Sequence, residues 1–74
     1  MSDNDKINFL IAALKELKNL DIQNLTRDMK LVDLKIDSLD AVELQMYYEE
    51  QTGVETRDPT QAVNTVGDLI DLIP

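Results

Sequence analysis

One serine stands where a helix can present it to a phosphate group. Ser38 follows Asp37, a good N-cap, and opens a segment of helix-forming residues that runs to Thr52 before Gly53. The free backbone N–H groups and the positive dipole end of a helix stabilise a phosphate at that position. Ser38 is therefore a candidate for carrying a phosphoester. The simpler alternative is a second capping residue at a helix start.

The composition excludes several kinds of chemistry. The 74 residues include no Cys and no His, which excludes disulfides, ordinary zinc, copper or haem sites, and Cys- or His-based catalysis within them. Ser38 consequently has no histidine to activate it as a nucleophile. The acids Asp33, Asp37, Asp40 and Glu43 raise a calcium site as an alternative, but the EF-hand spacing and its central glycine are missing. We predict no catalytic residue, no metal site and no enzymatic activity.

The net charge selects among possible partners. Seven basic and fifteen acidic residues give a formal charge of −8. This balance disfavours nucleic acid and anionic membrane surfaces, whose binders cluster Lys and Arg. It favours proteins with basic patches, which approach under long-range attraction. No signal peptide or transmembrane-length apolar run is recognisable, so we expect a cytoplasmic protein without membrane insertion. The sequence gives no clear oligomer signal, so a monomer is the default expectation.

The elements that must position Ser38 follow from apolar periodicity. Apolar residues recur at helical spacing over residues 5–20, which predicts a first helix. Residues 21–36 form a long, irregular connection with room for a short helical turn. A second long helix is predicted over residues 37–52, with Asp37 as its N-cap and Gly53 as its C-cap.

The last segment predicts a turn and a closing helix. Asp58, Pro59 and Thr60 indicate a turn or the start of a short helix. Thr65 is a good N-cap for a final helix that ends at Pro74. Its apolar positions are Val66, Leu69, Ile70, Leu72 and Ile73. No segment favours a strand, so residues 1–74 are predicted to form one all-α domain, a small bundle of three to four helices.

The predicted second helix has two apolar sides. One side consists of Ala41, Leu44 and Tyr48. The other, called here the Leu39 stripe, consists of Leu39, Val42 and Met46, bordered by Glu43, Glu49 and Glu50. One buried stripe is enough for a helix in a bundle. Either both sides are core, or the Leu39 stripe is an exposed docking surface whose Met adapts to varied partners.

The residues around Ser38 resemble a known motif. DSLDAVELQMYYEE, read from Asp37, closely resembles the modification site and second helix of acyl carrier proteins. INFLIAALKEL is similar to the first helix of that family, and LVDL to the end of its long first loop. QTGVET is similar to the link after helix two, and VNTVGDLIDLI to the closing helix. The resemblance covers most of the chain and implies a small bundle with a long loop between helices one and two.

The resemblance also implies a function. In a discrete, type II-like carrier, 4′-phosphopantetheine is donated by coenzyme A through a magnesium-using phosphopantetheinyl transferase (holo-synthase), and Ser38 matches the attachment point. The arm's thiol then carries acyl groups as thioesters to acyl-loading and acyl-processing enzymes of fatty-acid, polyketide or related biosynthesis. Asp37 flanks the site, and the resemblance implies that it acts in recognition or in metal contact during the transfer. The implied partner face is Leu39, Asp40, Val42, Glu43, Met46, Glu49 and Glu50.

Two other functions stay open beside this one. A peptidyl or aminoacyl carrier of a specialised cluster usually shows Gly-Gly-x-Ser-Leu and is less acidic. An acidic helical adaptor would use the same face without modification of its serine. The discriminating observation is whether a promiscuous transferase modifies the protein with coenzyme A.

Some positions depart from the family pattern. Lys35 and Ile36 occupy the stretch before the motif where the family usually has a Gly, which predicts an altered loop and a cation near the phosphate. Tyr47 and Tyr48 replace small or aliphatic residues, and Thr52 replaces an aromatic residue. These changes imply either a repacked core or a cavity altered for an unusual or polar acyl group.

Overall fold

The computed structural model describes residues 2–74. This part of the chain contains three α-helices. They are α1 (Asp3–Lys18), α2 (Ser38–Thr52) and α3 (Val66–Ile70). The long connection between α1 and α2 contains a 3-10 turn at Leu31–Leu34. Within residues 2–74 the extended pairing is limited to one isolated antiparallel bridge between Lys30 and Thr65. The prediction of an all-α bundle with a long first loop is confirmed.

Helix α1 lies two residues earlier in the chain than predicted. Ser2 caps it, because the Ser2 hydroxyl accepts from the Asp5 N–H at 3.2 Å and the Asp5 carboxylate accepts from the Ser2 N–H at 3.3 Å. Its end is set by Asn19, which adopts a left-handed conformation with φ 56°. The Asn19 N–H returns to the Lys15 carbonyl at 3.0 Å. The predicted end at residue 20 is therefore wrong by two residues.

Helix α3 is shorter than predicted. Thr65 caps it as expected, since its hydroxyl accepts from the Asp68 N–H at 3.1 Å. The helix ends at Ile70, and Leu72 and Ile73 lie beyond it. There the backbone tightens, with the Leu72 and Ile73 N–H groups donating to carbonyls three residues earlier. Both side chains remain buried. The apolar pattern therefore predicted correctly which residues are buried, but not where the helix ends.

The segment between α2 and α3 forms no helix. Residues 54–59 are irregular, and a bend follows at residues 60–61. Of the two predictions for Asp58, Pro59 and Thr60, the turn is therefore the better description. The Arg57 N–H donates to the Leu72 carbonyl at 2.7 Å, which ties this segment to the end of the chain.

The core lies between the inner faces of the three helices and the long loop. Its completely buried large side chains are Leu14, Val66 and Ile70. The apolar side of α2 opposite the Leu39 stripe is buried, since Ala41, Leu44 and Tyr48 are each 7% exposed or less. Phe9 of α1 packs edge-on against the Tyr48 ring, with centroids 5.2 Å apart. No helix among residues 2–74 is long and apolar enough to cross a membrane.

The long loop is fastened to the start of α3. The Leu31 N–H donates to the Asn64 carbonyl at 2.9 Å, and the Val66 N–H donates to the Met29 carbonyl at 2.9 Å. Gly67 allows close approach on the same side, because an added Cβ would lie 3.1 Å from the Arg27 carbonyl oxygen. These contacts place the loop, and therefore the start of α2, in a fixed relation to the core.

Candidate functional site

Ser38 is the first residue of α2, and its side chain is exposed. The cap of the helix comes from its neighbour. Asp37 has an extended backbone, and its Oδ1 accepts from the Asp40 N–H at 2.9 Å, while the Asp40 carboxylate accepts from the Asp37 N–H at 3.1 Å. The Ser38 hydroxyl makes no hydrogen bond with the described residues. The helix therefore does not need this hydroxyl as a cap, and it stands open to modification.

An ion pair between helices fixes the start of α2. The Lys18 ammonium, in the last turn of α1, pairs with the Asp40 carboxylate and lies 3.4 Å from the Lys35 carbonyl. The hydrogen bond from Lys18 holds the pKa of Asp40 below its ordinary value, and the Asp37 N–H adds to the effect. The same hydrogen bond raises the pKa of Lys18. The start of α2, where Ser38 lies, is thus fixed both by the capping box and by the ion pair with α1.

The loop before Ser38 contains a residue in an unusual backbone conformation. Lys35 ends the 3-10 turn with φ 61° and ψ 35°, the left-handed region that favours glycine. Its N–H donates to the Val32 carbonyl at 3.2 Å, and the next N–H, of Ile36, donates to the Leu31 carbonyl at 2.9 Å. Ile36 is buried beneath this turn. The position where the family usually has Gly therefore keeps a glycine-like conformation with a lysine in it.

The Leu39 stripe lies on the surface. Leu39 is 71% exposed, Val42 50% and Met46 58%. Because the opposite side of α2 is buried, the helix has one core face and one apolar outer face. Exposed apolar surface of this kind marks an interaction site more often than chance.

The acids beside the stripe differ in how free they are. Glu43 and Glu50 are exposed. Glu49 is half-buried, and its carboxylate accepts from both the N–H (2.9 Å) and the hydroxyl (3.1 Å) of Thr56. Glu49 therefore has a partner within the chain, as Asp40 has in Lys18. Of the four acids assigned to the partner face by sequence, Glu43 and Glu50 are the two left free for another protein.

Two grooves include Ser38 in their lining. The Lys30 groove, of about 420 Å³, runs towards the 3-10 turn and includes Lys30, Val32, Asp37, Val63 and Asn64 in its lining. The Ala41 groove, of about 240 Å³, lies between α2 and residues 59–63 and includes Ala41, Val42, Gln45, Ala62 and Leu72. An attached group can therefore lie along either groove without rearrangement of the helices.

One cavity behind α2 is nearly filled. The space between Phe9, Leu44 and Ile73 is about 10 Å³, at or below the ~10–15 Å³ that a single water needs. The Phe9 ring packs against both Tyr47 and Tyr48 on this side of the helix. This geometry agrees with a repacked core around the tyrosines.

Three features of the site were not predicted from the sequence. The partnership of Lys18 with Asp40 joins positions 22 apart, for which no local pattern exists. Val32, 74% exposed, lies inside LVDL and carries no periodic signal that separates it from core residues. The pairing of Lys30 with Thr65 depends on how the loop folds back.

The acids considered for calcium do not form a cluster, since residues 2–74 contain no group of three or more potential ligands placed for a metal ion.

Known proteins share this sequence pattern. A model of the family described as "Phosphopantetheine attachment site" matches residues 8–73. The acyl carrier proteins of Rickettsia canadensis (strain McKiel) and Rickettsia rickettsii (strain Iowa) are each 40% identical over 76 residues, covering 99% of this chain and 88% of theirs. No solved structure matches. The exposed serine at a capped helix start fits the group that this family attaches, and the chain belongs to the acyl carrier protein family, whose cofactor is 4′-phosphopantetheine.

Proposed function

We propose that Ser38 carries the 4′-phosphopantetheine arm and that the protein delivers acyl groups, held as thioesters on that arm, to the enzymes of a biosynthetic pathway. The observation that carries the proposal is an exposed hydroxyl, without a hydrogen bond to the described residues, at the first residue of a 15-residue helix whose cap is supplied by Asp37. A phosphoester at this place faces free backbone N–H groups and the positive end of the helix dipole.

Attachment requires chemistry that the protein does not supply. The Ser38 oxygen bonds to the phosphorus that bears pantetheine, the diphosphate linkage of coenzyme A breaks, and adenosine 3′,5′-bisphosphate leaves. A separate phosphopantetheinyl transferase provides the base and the magnesium for this step. The arm's thiol then supplies the reactive group. We therefore propose a carrier and not an enzyme.

The outer face of α2 is the proposed partner surface. The Leu39 stripe supplies apolar contact, and the free carboxylates of Glu43 and Glu50 attract basic patches on the transferase and on acyl-processing enzymes. Contacts steered by charge form quickly and dissociate easily, which suits a protein that must visit several enzymes. Fatty-acid synthesis is the usual setting of the family, and a polyketide or related pathway is equally compatible with this surface.

A carrier that must reach several enzymes needs its partner face uncovered. We propose that the protein is a monomer in the cytoplasm, because a symmetric dimer through the Leu39 stripe would cover the surface that partners need. Light scattering at rising concentration is expected to give the chain mass of 8.4 kDa. A stable mass of twice that value would contradict this part of the proposal.

The attachment site is tested by intact-protein mass after incubation with coenzyme A, magnesium and a promiscuous transferase. The expected result is the addition of one phosphopantetheinyl group, lost in Ser38→Ala. The chain contains one other serine, Ser2, so Ser2→Ala is the matched control and is expected to be modified fully. No addition to the wild type, under conditions that modify a known carrier, would contradict the proposal and favour an unmodified adaptor.

The partner face is tested by charge reversal. Glu43→Lys and Glu50→Lys are each expected to raise the transferase KM by roughly two- to fivefold, the range of one exposed ion pair, with kcat little changed. The effect is expected to shrink at high salt. Glu16→Lys is the control, since Glu16 is exposed on α1. An equal loss in the control would show that net charge, and not this face, governs the encounter.

A further inference from the structure

The two grooves that include Ser38 in their lining differ in their chemistry. The Ala41 groove is lined mainly by hydrocarbon, from Ala41, Val42 and Leu72 among others. The Lys30 groove is lined by the polar residues Lys30, Asp37 and Asn64 and by the apolar residues Leu31, Val32, Ile36 and Val63, of which Val63 also lines the Ala41 groove. The two grooves are therefore suited to different parts of an attached group.

Two polar side chains in the Lys30 groove have no partner among residues 2–74. Lys30 is exposed, and no carboxylate of the described residues lies within ion-pair distance of its ammonium. The backbone of Asn64 is fully used, since its carbonyl accepts from Leu31 at 2.9 Å and its N–H donates to the Asp68 carboxylate at 3.0 Å. Its side-chain amide makes no hydrogen bond within residues 2–74. Both groups are available to a ligand in the groove.

The backbone holds these two groups side by side. Lys30 forms the antiparallel bridge with Thr65, and the flanking Leu31–Asn64 and Val66–Met29 hydrogen bonds are both 2.9 Å long. The groove is therefore built into the pairing of the loop with the start of α3. It exists before any group is attached to Ser38.

We propose that the Lys30 groove is the resting site of the pantetheine arm itself, an inference that rests on the proposed attachment at Ser38. The arm begins with a phosphodiester anion and continues with two methyl groups, a hydroxyl and two amides. These groups match, in kind, the Lys30 ammonium, the Val32 and Val63 side chains, and the Asn64 amide. Asp37 also lines the groove, and its negative charge opposes the phosphate. Docking is consequently weak and reversible.

The absence of cysteine makes a direct test possible. The arm's thiol is the one thiol of the modified protein, so a nitroxide maleimide labels it alone. Paramagnetic broadening of backbone amide signals then shows where the arm lies. We expect the Lys30, Val32 and Asn64 signals to broaden more than those of Gln45 and Ala62 in the other groove. Uniform broadening, or stronger broadening in the Ala41 groove, would overturn the inference.

Side-chain variants separate the groove from the general charge. Lys30→Gln and Asn64→Ala keep the backbone bridge, and each is expected to lower the ratio of docked to undocked arm by roughly two- to fivefold. Lys15→Gln, at an exposed lysine of α1 outside the groove, is expected to leave the ratio unchanged. Equal broadening in all three variants would overturn the inference. Thermal unfolding of each variant confirms that the fold is intact.

The same preparation distinguishes the two levels of the proposal. If intact mass shows no phosphopantetheinyl addition, the proposed function fails and the groove assignment fails with it. If addition occurs but broadening shows no preference for the Lys30 groove, the groove assignment alone fails and the carrier function stands. Addition together with the expected broadening supports both.

Discussion

Lys35→Gly is expected to stabilise the protein, against the general rule that glycine loosens a chain. Lys35 has φ 61°, and the left-handed conformation costs an L-residue with a Cβ about 1–2 kcal/mol. Glycine removes that strain but gains freedom in the unfolded chain, which offsets about 0.4–1 kcal/mol. Between the middle values of these two ranges the net gain is about 0.8 kcal/mol, which raises the Tm of a domain of this size by roughly 3–6 °C.

Thermal unfolding followed by circular dichroism measures this effect, with two controls. Lys35→Ala removes the same positive charge but keeps the Cβ, so it is expected to give no such gain. Asn19→Gly changes the other left-handed non-glycine residue, φ 56°, where asparagine already tolerates the conformation, so its gain is expected to be smaller. A neutral or destabilising Lys35→Gly, or an equal gain in Lys35→Ala, would refute the argument from backbone strain.

Three further predictions follow from the packing and the charges. Gly67→Ala is expected to destabilise by about 1 kcal/mol despite its better helix propensity, because the new Cβ meets the Arg27 carbonyl at 3.1 Å; a raised Tm would contradict this. Asp40→Asn is expected to lower the Tm near neutral pH. Because Lys18 depresses the pKa of Asp40, the Asp40 carboxylate stabilises the fold above the ordinary carboxyl pKa of 3.8, and this stabilisation is lost as the pH falls through the lower pKa of the folded state. The Tm values of Asp40→Asn and the wild type should therefore converge at that low pH. Added sodium chloride or magnesium is expected to raise the Tm by screening the charge of −8, and a flat response would show that repulsion is not limiting.

Helix α2 was the most predictable part of the fold. Its start at Ser38 and its end before Gly53 follow from a capping acid and a left-handed glycine, both of which are local signals. The capping box adds a second local signal, since Asp40 lies three residues after Asp37. Local chemistry of this kind is written in consecutive residues, so sequence reasoning finds it.

The end of the chain shows what periodicity does not report. The apolar positions after Val66 continue at near-helical spacing to Ile73, yet α3 ends at Ile70. Leu72 and Ile73 are buried from a tightened turn instead. An apolar pattern records which side chains are buried, and a tighter backbone can bury the same positions.

The site required tertiary information at two points. The sequence left open whether the Leu39 stripe was core like the opposite side of α2 or was exposed, and the 71% exposure of Leu39 settles this only because the neighbouring elements are known. Asp40 and Glu49 carry the same charge as Glu43, but their carboxylates are engaged by Lys18 and Thr56. A sequence does not show which of several acids the fold has already paired.

Counting thiols tests directly whether Ser38 carries the arm. The unmodified chain has none, because it contains no cysteine. After a promiscuous transferase acts with acetyl coenzyme A, we expect no free thiol, and one thiol per protein after hydroxylamine cleaves the thioester. The Ser38→Ala variant should show none at either stage. A thiol in Ser38→Ala, or none in the wild type after cleavage, would contradict Ser38 as the point from which this protein carries acyl groups.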